Sequence, residues 1–285
     1  MYQQFEAPGF LKHIVSFFYV MEHHSDDVPL QTLLPSATEI NGWQYSGRWR
    51  VKFNMVDGQK EILLPNYYMV GQQTVSYNLT AEQGMAGIFG AALQPGTIVA
   101  VTGKPAFLFT NNPIQTDNLF PPEIVEPVLN AFQKAMDNQQ RLNIVSDFFQ
   151  KLNIPNSYRL YKEALQIIYQ RKGCISVKEL CEQLHINERY LQREFRHNIG
   201  IAPSTYLKIL RFNNVFTELS MAEEKQNIET MAMLFNYYDL SHFNKDHKKY
   251  FAIPPSKMML NRFQLLEELI RNGPYLLQIQ SNTDI

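Results

Sequence analysis

Two textures of apolar spacing divide this chain. Up to about residue 120, short runs of aromatic and β-branched residues are broken by Pro, Gly and Asn: Phe17-Phe18-Tyr19-Val20, Val51-Lys52-Phe53, Tyr67-Tyr68-Met69-Val70 and Gly87-Ile88-Phe89-Gly90. Runs of that length between turn formers predict short strands joined by turns. After Pro121-Pro122 the spacing becomes helical. Ile124, Val125, Val128, Leu129 and Phe132, then Leu142, Val145, Phe148, Phe149 and Leu152, predict two helices, and Pro155-Asn156-Ser157 predicts a break. From Tyr158 onward the chain reads helical nearly throughout. The expected architecture is α+β: a small β-barrel or sandwich at 1–120, a helical connector at 121–157, an all-α domain at 158–262 and a tail at 263–285.

A chain of 285 residues exceeds what one core usually serves, so two domains are expected. Hydrophobic residues make up 45% and charged residues 19%, with no apolar run approaching the roughly 20 residues of a membrane span. The N-terminus, MYQQFEAPGF, shows no export signal, so a soluble, cytoplasmic protein is expected. Cys174 and Cys181 are too few for a disulfide framework and have no further ligands at zinc spacing; they read as small apolar residues. The net charge of −1 conceals an asymmetry: residues 159–262 carry 16 Lys and Arg against 11 Asp and Glu, whereas the flanking segments are acidic. A basic module attached to an acidic one follows.

Inside the basic region one pattern occurs twice. Ser176-Val177-Lys178-Glu179-Leu180-Cys181 recurs 51 residues later as Asn227-Ile228-Glu229-Thr230-Met231-Ala232. Each copy opens on a side chain able to cap a helix, follows it with an apolar residue and places a small residue sixth. The first also has Ser176 and Glu179 at capping-box spacing. A small sixth residue lets a second helix cross closely, as a helix-turn-helix requires. A turn and a second capped helix follow each copy. Asn187 caps the first, with Leu191 and Phe195 facing the core; Asp239 caps the second, with Phe243 facing the core.

Facing outward are Arg189, Gln192, Arg193 and Arg196 in the first copy, and Ser241, His242, Asn244, Lys245, Lys248 and Lys249 in the second. Arg and Lys neutralise phosphates and reach guanine edges, while Gln and Asn pair with adenine. One basic helix is usually a solvated face. Two at equivalent places in an internal repeat point to double-stranded DNA.

These residues resemble the AraC/XylS family of transcription regulators. The first copy matches through Ser176-Val177, Leu180, Arg189, Leu191, Arg193, Phe195, Gly200, Pro203, Tyr206, Leu207 and Arg211. The second matches through Ile228, Ala232, Tyr237, Ser241, Phe243, Lys245, Lys248 and Pro255-Ser256. The resemblance implies two helix-turn-helix units held by a linker helix, about Pro203 to Leu219, that place two recognition helices in successive major-groove segments. It also implies a sequence-specific regulator, with RNA polymerase as a partner if the chain is an activator. The second copy departs from the family at Asn236, His247, Ala252 and Pro254, which bears on its base contacts more than on its fold.

The first half is similar, more loosely, to an arm of some regulators of this family, through Ile14-Val15, Phe18-Tyr19-Val20, Leu34-Pro35, Val70-Gly71-Gln72, Gly90 and Gln94-Pro95-Gly96. A cupin-like fold is implied. The His and Glu pattern of cupin metal enzymes is missing, since adjacent His23 and His24 would point to opposite faces of a strand. No metal or cofactor is expected. No phosphate-binding loop or receiver pattern is found either, which leaves a small organic effector as the expected ligand. Trp43, Tyr45, Trp49, Tyr67, Tyr68 and Tyr77 could line its pocket, although ordinary core is the commoner role of such residues.

The helices between Pro122 and Leu152 carry more apolar residues than one stripe against a barrel needs. They are expected to dock the domains together or to form a homodimer interface, the dimer being favoured because arm-bearing regulators of the family are often dimeric. Two other functions stay open. An enzyme with an appended DNA-binding domain, such as an alkyl-transfer repair protein, would need a reactive cysteine, and neither Cys174 nor Cys181 is well placed for one. A protein-interaction or dimerisation scaffold is compatible with the departures in the second repeat.

Overall fold

The computed structural model describes residues 1–26, 31–55, 58–152, 154 and 160–221, together with 233, 235, 241, 243–245 and 248. Among them, antiparallel pairing builds two sheets. The larger has the order β1 (Tyr2–Glu6), β2 (Val15–His24), β9 (Met85–Leu93), β4 (Glu39–Ser46), β7 (Tyr67–Val70) and β10 (Ile114–Gln115). The smaller runs β3 (Gln31–Leu33), β8 (Tyr77–Ala81), β5 (Trp49–Met55) and β6 (Gly58–Leu63). The sheets form a sandwich and do not close into a barrel. Phe17 and Met21, Ile88 and Ala92, and Trp49, Val51 and Phe53 fill the space between them. Tyr19 lies so close over Gly90 that a Cβ there would overlap its ring, so any larger residue would displace that side chain.

The larger sheet is apolar on both faces. Phe18, Val20, Phe89 and Ala91 point away from the sandwich, toward α2 (Pro122–Gln133) and α3 (Asn138–Lys151). Val125, Val128 and Phe132 of α2 and Val145, Phe148 and Phe149 of α3 are buried there. Trp43 is the centre of this layer, its ring 5.3, 5.2 and 5.6 Å from those of Tyr67, Phe132 and Phe148. The surplus of apolar residues on these helices is therefore used inside the chain, on a second core of the same β domain. The apolar surplus thus does not by itself argue for a dimer interface along them. Trp43, Trp49, Tyr67 and Tyr68 are core residues; Tyr45 is half-buried under the Arg141 guanidinium, 3.9 Å from its ring centroid, and Tyr77 is half-buried beside Phe53.

One segment departs from the strand pattern expected before residue 120. Thr97–Thr102 (TIVAVT), β-branched at five of its six positions, is a helix, α1. Left-handed glycines, Gly96 and Gly103, bound it, and Gly96 supplies no side-chain cap. The Glu39 carboxylate takes that role from 57 residues away, accepting hydrogen bonds from the Gly96 and Ile98 N–H groups at 2.7 Å each. A distant hydrogen-bond acceptor at a helix N-terminus outweighs a weak local preference for strand.

The second domain comprises α4 (Leu160–Gln170), α5 (Val177–Gln183), α6 (Glu188–Asn198) and α7 (Pro203–Met221). Its core is continuous with the first domain, because Leu34 and Ala37 pack into it. At this junction the Tyr206 hydroxyl donates to the Ala37 carbonyl at 3.2 Å and shares a 2.7 Å hydrogen bond with the Tyr169 hydroxyl. The Asn213 amide donates to the Pro35 carbonyl at 2.8 Å, and Tyr161 lies against Gly96. Among the described residues, no helix is long and apolar enough to cross a membrane.

Candidate nucleic-acid interface

Local chemistry starts both helices of the first repeat. Ser176 and Glu179 form the capping box: the Glu179 N–H donates to Ser176 Oγ at 3.1 Å, and the Ser176 N–H donates to Glu179 Oε2 at 2.8 Å. These bonds from Ser176 hold the exposed Glu179 carboxyl below the usual carboxylate range. Ser176→Ala should cost about 1 kcal/mol, the usual worth of an N-cap, read from the melting of the full chain against Lys178→Ala as an exposed control. A loss within error of the control would mean that packing alone sets the start of α5.

After α5 the chain turns through His185, a non-glycine residue at φ 53°, and the Ile186 N–H closes back on the Cys181 carbonyl at 3.0 Å. Cys181 is buried under the crossing helix, as its small size allows. The Asn187 side chain accepts from the Tyr190 N–H at 2.9 Å and starts α6. Leu191 and Phe195 are completely buried, and Phe195 meets the Tyr206 ring of α7 edge-on at 6.0 Å.

With that face anchored, Arg189, Gln192, Arg193 and Arg196 are exposed at helical spacing on one face of α6. Arg193 lies over the Tyr190 ring, its guanidinium carbon 5.0 Å from the centroid. Such a contact leaves the guanidinium N–H donors available, and a planar fork of donors suits a base edge or a phosphate.

In the second repeat the described positions repeat the same arrangement. Phe243 is buried and stacks on Phe212 of α7 at 6.1 Å, and Phe235 is buried nearby. Ser241, Asn244, Lys245 and Lys248 are helical and exposed. Each stands 52 positions after its counterpart: Arg189 and Ser241, Gln192 and Asn244, Arg193 and Lys245, Arg196 and Lys248. Leu191 and Phe243 correspond in the same way as anchors. His242 and Lys249, the cap Asp239, and the departures at Asn236, His247, Ala252 and Pro254 lie outside the described residues.

Residues 180–261 match the model of a helix-turn-helix domain family. This is an AraC-type helix-turn-helix domain. Among solved structures, the chain is similar to ToxT from Vibrio cholerae O395, at 14% identity over 90% of this chain and 96% of that one, with a TM-score of 0.44. ToxT from the same source bound to (E)-4-(8-methylnaphthalen-1-yl)but-3-enoic acid gives 14% identity over 93% and 99%, with a TM-score of 0.45. Hydroxypropylphosphonic acid epoxidase from S. wedmorenis matches 32% of this chain and 49% of its own, at 18% identity and a TM-score of 0.27.

Burial pushes the thiols of Cys174 and Cys181 up, away from the thiolate that alkyl transfer requires.

One contact of the interface was not legible in the sequence. Arg196 has its guanidinium carbon 5.2 Å from the ring centroid of Phe107, which belongs to the 3-10 turn Ala106–Phe109 of the β domain. Spacing within α6 marks Arg196 as outward, but nothing in it shows that a residue 89 positions earlier reaches the same side chain.

Proposed function

We propose that this chain is a sequence-specific DNA-binding transcription regulator acting in the cytoplasm, controlled by a small organic molecule bound in its β domain. The observation that supports it best is the exposed row Arg189, Gln192, Arg193 and Arg196 on a capped helix whose opposite face is locked into the core. Ser241, Asn244, Lys245 and Lys248 extend the row to a second helix. Gln192 and Arg193 are the side chains suited to base edges, and Arg196 and Lys248 the ones suited to phosphates.

Arg193→Ala is expected to weaken binding to a selected duplex by about 1 to 3 kcal/mol and to relax the preference at one base pair. Lys248→Ala is expected to weaken binding to all duplexes alike and to lower the salt slope by about one ion. Titration of a labelled duplex, selected by the full chain from a random library, measures both. Failure of the wild-type chain to select any sequence would remove the DNA-binding reading and favour a protein-interaction scaffold.

The effector reading is supported by Gln72. It is fully buried, and among the described residues neither of its side-chain amide atoms has a hydrogen-bond partner. Gln44, by contrast, bridges strands with its whole amide, donating to the Leu64 and Pro65 carbonyls and accepting from the Trp49 N–H. A buried carboxamide without partners costs about 1 to 3 kcal/mol per group, so a polar ligand that met it would bind with that advantage. Thermal-shift screening of the full chain and of Gln72→Leu tests this: hits should shift only the wild type and alter its affinity for the selected duplex. A homodimer, and contact with RNA polymerase by an activator, belong to the same proposal, and sedimentation of the full chain tests the first.

A further inference from the structure

The end of the recognition helix α6 is seated on the β domain. Ala106 is completely buried, and the Thr110 hydroxyl donates to the Gly200 carbonyl at 3.1 Å, two residues beyond α6. Gly200 has φ +93°, and a Cβ there would come within 2.7 Å of the Thr110 hydroxyl and 2.9 Å of the Ala106 carbonyl oxygen. No other residue type fits that joint without displacing one side of it. The segment 106–110 thus abuts the chain at Gly200 just beyond α6, and the Arg196 guanidinium carbon lies over the Phe107 ring, 5.2 Å from its centroid.

The geometry points to Phe107 as a positioning residue for DNA binding: the β domain supplies, from outside the helix-turn-helix, the surface that orients the phosphate-binding Arg196. A guanidinium is planar, with its five N–H donors directed outward in that plane, and attraction to a ring face engages its charge without using up those donors. Arg196 remains exposed, so that plane is open to an incoming phosphate. Phe107 is itself 40% exposed, which shows that it is not held by its own core and that its ring is available to the arginine. An arginine held in one orientation loses less side-chain freedom when it binds. The β domain thereby contributes to affinity without touching DNA, and a shift of the 106–109 turn alters DNA binding through one side chain. This inference rests on the DNA-binding reading above.

Binding of the full chain to its library-selected, labelled duplex tests it. Phe107→Leu, which keeps apolar bulk but removes the aromatic face, should weaken binding about two- to fivefold, the worth of an exposed cation–π contact, and Phe107→Trp should restore it. Arg196→Ala should weaken binding and lower the salt slope, and Phe107→Leu placed on top of it should add nothing further. Unchanged affinity in Phe107→Leu, or losses that simply add in the double variant, would overturn the proposal. Tighter binding in Phe107→Leu would overturn it too, by showing that the ring screens Arg196 from DNA. Arg193→Ala separates the two levels: if it relaxes specificity while Phe107→Leu does nothing, the DNA reading stands and only the role of Phe107 fails.

Discussion

Urea unfolding of the full chain should become easier with each step from about pH 5 to about pH 8, and Glu39→Gln should flatten that slope. Glu39 is completely buried, and loss of hydration raises its carboxyl from 4.5 to about 8, against the opposing pull of the Ile98, Gly96 and Thr97 N–H groups. The hydroxyls of Tyr169 and Tyr206 face it from the second domain; burial raises both, and the nearby Glu39 charge raises them further. The folded chain thus keeps a proton that the unfolded chain releases near 4.5. Its stabilising contribution is complete below that value and is lost as the pH rises through about 8. One proton sets a ceiling of about 1.4 kcal/mol per pH unit, or on the order of 4 kcal/mol across the window.

Both tryptophans, Trp43 and Trp49, lie in the β domain, so their fluorescence reports this transition directly. A slope identical in wild type and Glu39→Gln would mean that the carboxylate stays ionised, with the helix end and its N–H groups outweighing desolvation. Because Glu39 lies beside the Tyr169 and Tyr206 pair that reaches Ala37, the same titration should loosen the domain junction before the C-terminal core.

Phe132→Ala should destabilise the β domain by about 3 to 5 kcal/mol, the usual cost of emptying a large buried aromatic site. Its ring is 1% exposed and packs against Trp43, Tyr67 and Phe89 at 5.2, 6.0 and 6.4 Å. Met136, at 88% exposure just after the same helix, should tolerate Ala within about 0.5 kcal/mol. Tryptophan-detected urea unfolding compares the two. A small loss for Phe132→Ala together with a change in sedimentation would return α2 to the role of an interface between copies. A large loss at unchanged mass would fix it as part of the β-domain core.

What the sequence determined by itself was local in physical origin. The change from short apolar runs to helical spacing places α2 and α3 closely, because a helix is read from side chains three and four apart. The capping box at Ser176 and the cap at Asn187, the buried pair Leu191 and Phe195, and the outward row Arg189, Gln192, Arg193 and Arg196 are legible for the same reason: each rests on contacts within about one turn. Tertiary structure decided the rest. Thr97–Thr102 is helical because Glu39 caps it from another strand, and the apolar surplus of α2 and α3 covers a sheet whose second apolar face no spacing announces. Leu34-Pro35 and Gly96, noticed in the sequence only as a loose resemblance, prove to be the junction with the C-terminal core. Phe107 meets Arg196 only after both domains have folded, since the partners are far apart in the chain and neither carries a local mark of the other.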